Sequence, residues 1–196
     1  MTETLRPARF ARRGLSSKRV RPGCLFRRFS WSTAMATELA ARRAERDKIL
    51  AGGFSMAQVD QMLDLLEGYV RDFPSKQWVL CHGDLSLKHI FVTADGQDGA
   101  AVRVSGIIDF GDWQSGTPVH DLAVLRVREP RLDLQPLLAG YGAPADRTYR
   151  RQLDLHTLTI ALGSLAFCVD ELDQPGIQRS RDQIRALVAD LDAQCR

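Results

Sequence analysis

Cysteine is scarce and scattered in this chain. Its four copies, Cys24, Cys81, Cys168 and Cys195, lie too far apart for any metal-ligand or redox spacing and fit reduced thiols in a cytoplasm. Long apolar runs are missing as well: no stretch approaches the roughly 18 apolar residues that a spanning segment needs, so no membrane contact is expected. Acids are nearly absent from the first 37 residues, which hold nine Lys/Arg against the single Glu3. The remainder carries 18 bases against 23 acids, a body of net −5 beneath an overall charge of +3. Such a body offers no nucleic-acid-binding face, because the basic charge belongs to a tail.

What is present suffices for one compact domain plus a tail: 196 residues, 44% of them hydrophobic. Residues 1–31 show neither helical nor alternating apolar period, and Pro7, Gly14, Pro22 and Gly23 interrupt any element that starts there. They are expected to be a basic, disordered leader. Their Arg- and Ser-rich composition resembles an organelle transit peptide, but translation from a misplaced start codon gives the same pattern and is the preferred expectation. Residues 32–196 are the expected folded body.

In that body, TAMATELAARRAERDKIL reads as a helix stopped by Gly52 and Gly53. A second helix begins behind Ser55 as N-cap, with Met56, Val59, Met62, Leu63, Leu66 and Val70 forming one apolar face. Three short strands are expected at 78–81, 89–95 and 101–110, where apolar and β-branched residues cluster. Helical pattern then returns at HDLAVLRV, LQPLLAGY, 147–172 and 177–193. The fold class is α+β and mostly helical, with a small strand cluster in the middle.

The informative string is CHGDLSLKHIFVTADGQDGAAVRVSGIIDFGDWQSGTPVHDLA, in which His-Gly-Asp leaves one strand and Asp-Phe-Gly ends another. Phosphoryl transfer from a nucleotide needs one carboxylate to orient and deprotonate the acceptor hydroxyl and another to hold the magnesium that neutralises the phosphates. Asp84 and Asp109 suit those tasks. The order of strand, H-G-D, a polar residue five positions on, I-I-D-F-G-D and P-x-x-D-L-A resembles the aminoglycoside phosphotransferase family, relatives of choline kinases and, more distantly, of protein kinases.

The resemblance implies a protein-kinase-like C-terminal lobe whose strand cluster carries the catalytic and metal loops. It implies Asp84 as catalytic base, Asp109 as magnesium ligand and His89 as the second ligand, where the family usually has asparagine. It further implies that Ser86 and Lys88 meet the phosphates, and that His82, Asp112 and Asp121 support the loops. Asp121 would accept hydrogen bonds from backbone N–H groups of the catalytic loop. The expected cofactors are Mg2+ and ATP or GTP; the expected acceptor is a hydroxyl of a small molecule such as an aminoglycoside or macrolide, with antibiotic resistance as the role. Imidazole suits a hard cation less well than an amide oxygen, so His89 marks a subfamily and also weakens the metal assignment.

A kinase of this type carries an N-terminal nucleotide lobe with a glycine-rich loop and a strand lysine. Before Trp78 the glycines form no such loop, and neither Lys18 nor Lys48 sits in a β-branched strand, so the lobe is expected to be missing. Two readings follow: a phosphotransferase, or a truncated, inactive remnant or binding module that takes its missing lobe from a separate chain. Asp170, Glu171 and Asp173 read as a solvated helix end, with attraction of a cationic aminoglycoside as the alternative.

Overall fold

The computed structural model describes residues 30–74, 78–95, 101–144 and 146–194. The expected leader lies outside these residues except at its end, where Trp31 opens the first helix and is buried. Seven helices and four strands are described: α1 (Trp31–Ala44), α2 (Arg46–Ala51), α3 (Met56–Asp72), β1 (Val79–Cys81), β2 (Ile90–Asp95), β3 (Ala101–Ile107), β4 (Gln114–Gly116), α4 (His120–Arg128), α5 (Gln135–Tyr141), α6 (Arg147–Asp170) and α7 (Gln174–Ala193). The α+β, mostly helical reading therefore holds.

The first expected helix is two, because the chain bends at Glu45, a residue with no helix-breaking chemistry of its own. The bend lets Ile49 of α2 join Trp31 and Met35 of α1 in one core. Gly52 then ends α2 against α6, so closely that a side chain would lie 2.8 Å from Leu165. The start of α3 follows the sequence directly: Ser55 Oγ accepts the Gln58 N–H while the Gln58 amide returns to the Ser55 N–H, two otherwise orphaned donors satisfied at once.

The α6 helix is the axis of the body. Its residues from Leu153 to Thr159 are buried without a break, as expected of a helix covered on several sides. Leu155, Leu158, Leu162 and Leu165 meet Val59, Met62, Leu66 and Tyr69 of α3 and Ile184, Leu187 and Leu191 of α7 in one apolar cluster. By length and composition α6 is apolar enough to cross a membrane, but 61% of its apolar window is buried against the rest of the protein. Its hydrophobicity is used by the core.

The strands form two antiparallel ribbons, β1 with β4 and β2 with β3. In the longer ribbon Phe91 faces Gly106 and Val92 faces Val104, so Ser105 is the extra residue of a bulge. The pairing has a consequence for position. One loop runs from β1 to β2 and the other from β3 to β4, so both connect the same two ribbons and lie side by side.

A polar chain crosses the core beside them. The Gln114 amide donates to His120 Nε2 at 2.8 Å, His120 Nδ1–H to His156 Nε2 at 3.0 Å, and His156 Nδ1–H to the Tyr69 hydroxyl oxygen at 2.9 Å. Each ring donates once and accepts once, which requires both to be neutral. Burial, reinforced by the facing His120, pushes His156 down to about 3; burial also lowers His120.

Because unfolding frees His156 to take a proton at its ordinary value of 6.5, its contribution is fully present above that pH and falls as pH drops toward 3. Urea unfolding between about pH 7.5 and 5 should show stability declining below neutrality, with one proton contributing about 1.4 kcal/mol per pH unit. His156→Asn should flatten that slope by the same amount, and an unchanged slope would disprove the role.

Candidate active site

The loop after β1 begins with His82, Gly83 and Asp84, and its backbone is held from outside. Asp121, in the first turn of α4, accepts the His82 N–H at 2.8 Å through Oδ2 and the Gly83 N–H at 3.0 Å through Oδ1. One carboxylate thus satisfies two successive donors. Gly83 has φ of 87° and passes so close to the Asp112 carbonyl that any side chain would collide with it. Burial, and secondarily the charge of Asp121, push the Cys81 thiol up to about 11, so it stays protonated beneath the loop.

His82 is buried, and its Nε2–H donates to the Ile108 carbonyl at 2.8 Å, one residue before Asp109. Its ring lies against those of Phe110, with centroids 4.5 Å apart, and His89, at 5.5 Å. The Ile108 N–H returns to the His89 carbonyl at 3.0 Å. These contacts tie the first loop to the second.

His89 closes the circuit. Its Nδ1 lies 2.9 Å from the Asp84 carbonyl, which can only accept, so Nδ1 carries the proton. Nε2 then faces Asp109 Oδ2 at 3.3 Å. In the neutral ring this sets a nitrogen lone pair beside a carboxylate oxygen, an arrangement that calls for a proton or a cation between them. Ser86 is buried on the other side of the imidazole, its hydroxyl 3.4 Å from Nδ1.

Asp109 has φ 66° and ψ 51°, the left-handed region that costs a side-chain-bearing residue about 1–2 kcal/mol. Its side chain is nonetheless 64% exposed, so the strained backbone presents the carboxylate to solvent next to His89. No group of three or more His, Cys, Asp or Glu among the described residues forms a metal cage. His89 and Asp109 are a two-ligand edge, which fits a cation that keeps most of its shell for phosphates and water.

Of the other residues singled out from sequence, Lys88 is exposed on the outer side of a 3-10 turn, Leu87–His89. Asp112 is exposed, and its backbone rather than its carboxylate meets the first loop. Asp170 pairs with Lys48 of α2, and Asp173 with Arg179. On α6, Asp170 stands about 24 Å along the helix axis from Asp154, the partner of Arg126 on α4. Those acids do not reach the loops.

Two residues went unnoticed in the sequence. Arg128 Nη2 contacts Asp84 Oδ1 at 2.6 Å, and Glu129 Oε1 accepts the Leu87 N–H at 3.1 Å. Both lie at the end of α4, whose N-terminal Asp121 holds the same loop. Basic residues in a last helical turn are common, and nothing local distinguishes this one.

The family model described as the phosphotransferase enzyme family matches residues 17–155, well over half of the chain. No curated protein matches it. Among solved structures, the GDP and kanamycin complex of APH(2")-IIia superimposes with a TM-score of 0.64 at 20% identity, covering 83% of this chain and 53% of that one. The GDP complex of wild-type aminoglycoside 2'-phosphotransferase-IIIa gives 0.61 at 19% identity, covering 80% and 52%. An apo thermostable mutant of aminoglycoside phosphotransferase APH(4)-Ia gives 0.57 at 19%, covering 82% and 53%. This chain spans about half the length of each, and the likeness is one of fold.

If the Asp121 carboxylate organises the loop, Asp121→Asn should keep one acceptor and lose the other along with the charge. Equilibrium unfolding should then report a loss of about 2 kcal/mol, the worth of one hydrogen bond to a charged group. A change below about 0.5 kcal/mol would mean that the loop holds its shape without Asp121.

Proposed function

Because the chain belongs to the phosphotransferase enzyme family, we propose that it carries the catalytic half of an enzyme that moves a phosphoryl group from a nucleoside triphosphate, ATP or GTP, to a hydroxyl of a small molecule. The observation that carries the reading is the convergence of Asp84, His89 and Asp109 on two loops locked to each other by His82 and Asp121. Asp84 orients the acceptor hydroxyl and takes its proton as the new phosphorus–oxygen bond forms and the bond to the departing nucleoside diphosphate breaks. Asp109 and His89 would hold Mg2+, which neutralises charge on the phosphates when bound. Lys88 stands on the same turn as His89, exposed and available to a phosphate oxygen, while Ser86 steadies the His89 ring from beneath. The GDP bound in two of the structural neighbours supports a nucleotide as donor.

A second reading concerns completeness. Leu80, Phe91, Val92, Val104, Ile108 and Trp113 are exposed around the two loops. Such an apolar surface marks an interface. It supports a nucleotide-binding lobe as the cover of the site, which a separate chain would supply. Phosphoryl transfer depends on positioning and electrostatics, so the chain alone should transfer little.

The test is nucleotide-dependent phosphorylation of a panel of small alcohols with Mg2+, by the chain alone and with a nucleotide lobe added as a separate chain. Transfer should be near background for the chain alone and rise on addition. Asp84→Asn and Asp109→Asn should each reduce the reconstituted rate by at least about a hundredfold. Full retention in both variants would refute the assignment, and efficient transfer by the chain alone would refute the need for a partner.

A further inference from the structure

Asp84 does not face solvent alone. Arg128 contacts one of its oxygens, Oδ1, through a single guanidinium nitrogen, Nη2. Among the described residues Oδ2 has no hydrogen-bond partner, and neither do the other nitrogens of Arg128. The Arg128 side chain is 57% exposed, so the pairing with Asp84 leaves much of it open to solvent. The pair is held in place: the Glu129–Leu87 hydrogen bond fixes the end of α4 against the catalytic loop.

The surrounding charge is mixed. Lys88 is exposed on the catalytic loop, and Arg131 is exposed just beyond α4. Glu129 accepts the Leu87 N–H, Asp133 accepts the Gln135 N–H at the start of α5, and Asp109 and Asp112 are exposed on the second loop. Arg126 is turned away to the buried Asp154. Asp170 pairs with Lys48 and Asp173 with Arg179. At Arg128 itself an ammonium group of a polycationic acceptor would meet a like charge, and an oxyanion the opposite one.

We propose that the acceptor is an alcohol bearing an anionic group, a carboxylate or a phosphate, which Arg128 binds while Asp84 Oδ2 receives the hydroxyl. Arg128 is then a specificity-determining residue. A guanidinium is suited to the task because its planar fork serves two oxyanions at once, Asp84 on one edge and the acceptor on another. The acceptor's own charge fixes the distance between its hydroxyl and the base, which is the positioning that phosphoryl transfer requires. This inference rests on the phosphotransferase reading for the role of Asp84, but the binding it specifies can be measured without turnover.

The experiment titrates the full chain, by calorimetry or saturation-transfer NMR, with sugars of one size and different charge: glucuronate, glucose 6-phosphate, glucose and glucosamine. At least one of the two anionic sugars should bind at least about tenfold more tightly than glucose, and glucosamine should bind most weakly. Which anionic sugar is preferred distinguishes carboxylate from phosphate recognition. Arg128→Gln should remove that preference, while Arg128→Lys should restore part of it. The inference is overturned if no anionic sugar outbinds glucose, if glucosamine binds best, or if Arg128→Gln leaves the preference intact. Phosphorylation of glucosamine would overturn it while upholding the phosphotransferase reading. Arg128-dependent anion binding with no transfer on reconstitution would do the reverse.

Discussion

The contact on which the site depends is the Asp121 carboxylate gripping the N–H groups of His82 and Gly83. A loop that turns sharply beneath another loop cannot satisfy its own donors, and at this depth water does not replace them. A charged acceptor on a neighbouring helix solves the problem and does more. It couples the loop to α4, and α4 packs through Val119, Leu122 and Ala123 on Leu153 of α6, the axis of the core. The position of Asp84 is thereby referred to the buried helical core. From His82 the coupling passes through its ring to Ile108, from Ile108 to His89, and from His89 back to the Asp84 carbonyl. Each of these links fixes an orientation as well as a distance.

Much of this was legible in the sequence because the informative residues are neighbours in the chain. His82, Asp84 and His89 fall within one stretch, Asp109 follows β3 by two residues, and the order of those strings carried the family. The helices were legible for the same reason, through Ser55 as a cap and the apolar period of α3. What escaped was non-local. Nothing in QSG announces a strand; β4 exists because β1 offers an edge to residues 114–116. The bend at Glu45 involves neither glycine nor proline and follows from packing Ile49 into the core. The chain Gln114–His120–His156–Tyr69 joins residues from one strand and three helices, with His156 separated from Tyr69 by 87 positions. Arg128 escaped because its partner is defined by where a helix ends in space.

The same logic bears on the proposed division of the chemistry. The residues proposed to orient an acceptor and to hold a cation are built on loops tied to a helical core, and they need no other lobe to take their places. A nucleotide, by contrast, must be covered as well as coordinated, and the described residues before β1 are helical, with no sheet to cover it. The β2–β3 ribbon stands with Phe91, Val92, Val104 and Ile107 all exposed, so neither of its faces is used by the core. Apolar strands left open in this way are a hazard unless something covers them.

The two carboxylates show how one scaffold gives like groups unlike surroundings. Asp84 is partly shielded, with its Oδ1 in contact with the Arg128 guanidinium. Asp109 is mostly exposed, its backbone bent into the left-handed region and its carboxylate beside a histidine nitrogen that has a lone pair to share. Such a backbone persists only where its neighbours over-determine it, and here they do. The Ile108 carbonyl is held by His82, the Ile108 N–H is bonded to His89, and the turn that follows is closed by the Trp113 N–H on the Phe110 carbonyl. Releasing Asp109 to an ordinary conformation would require breaking contacts that also position Asp84. Asp84 and Asp109 are therefore not two residues that happen to be close, but the two ends of one constrained loop pair.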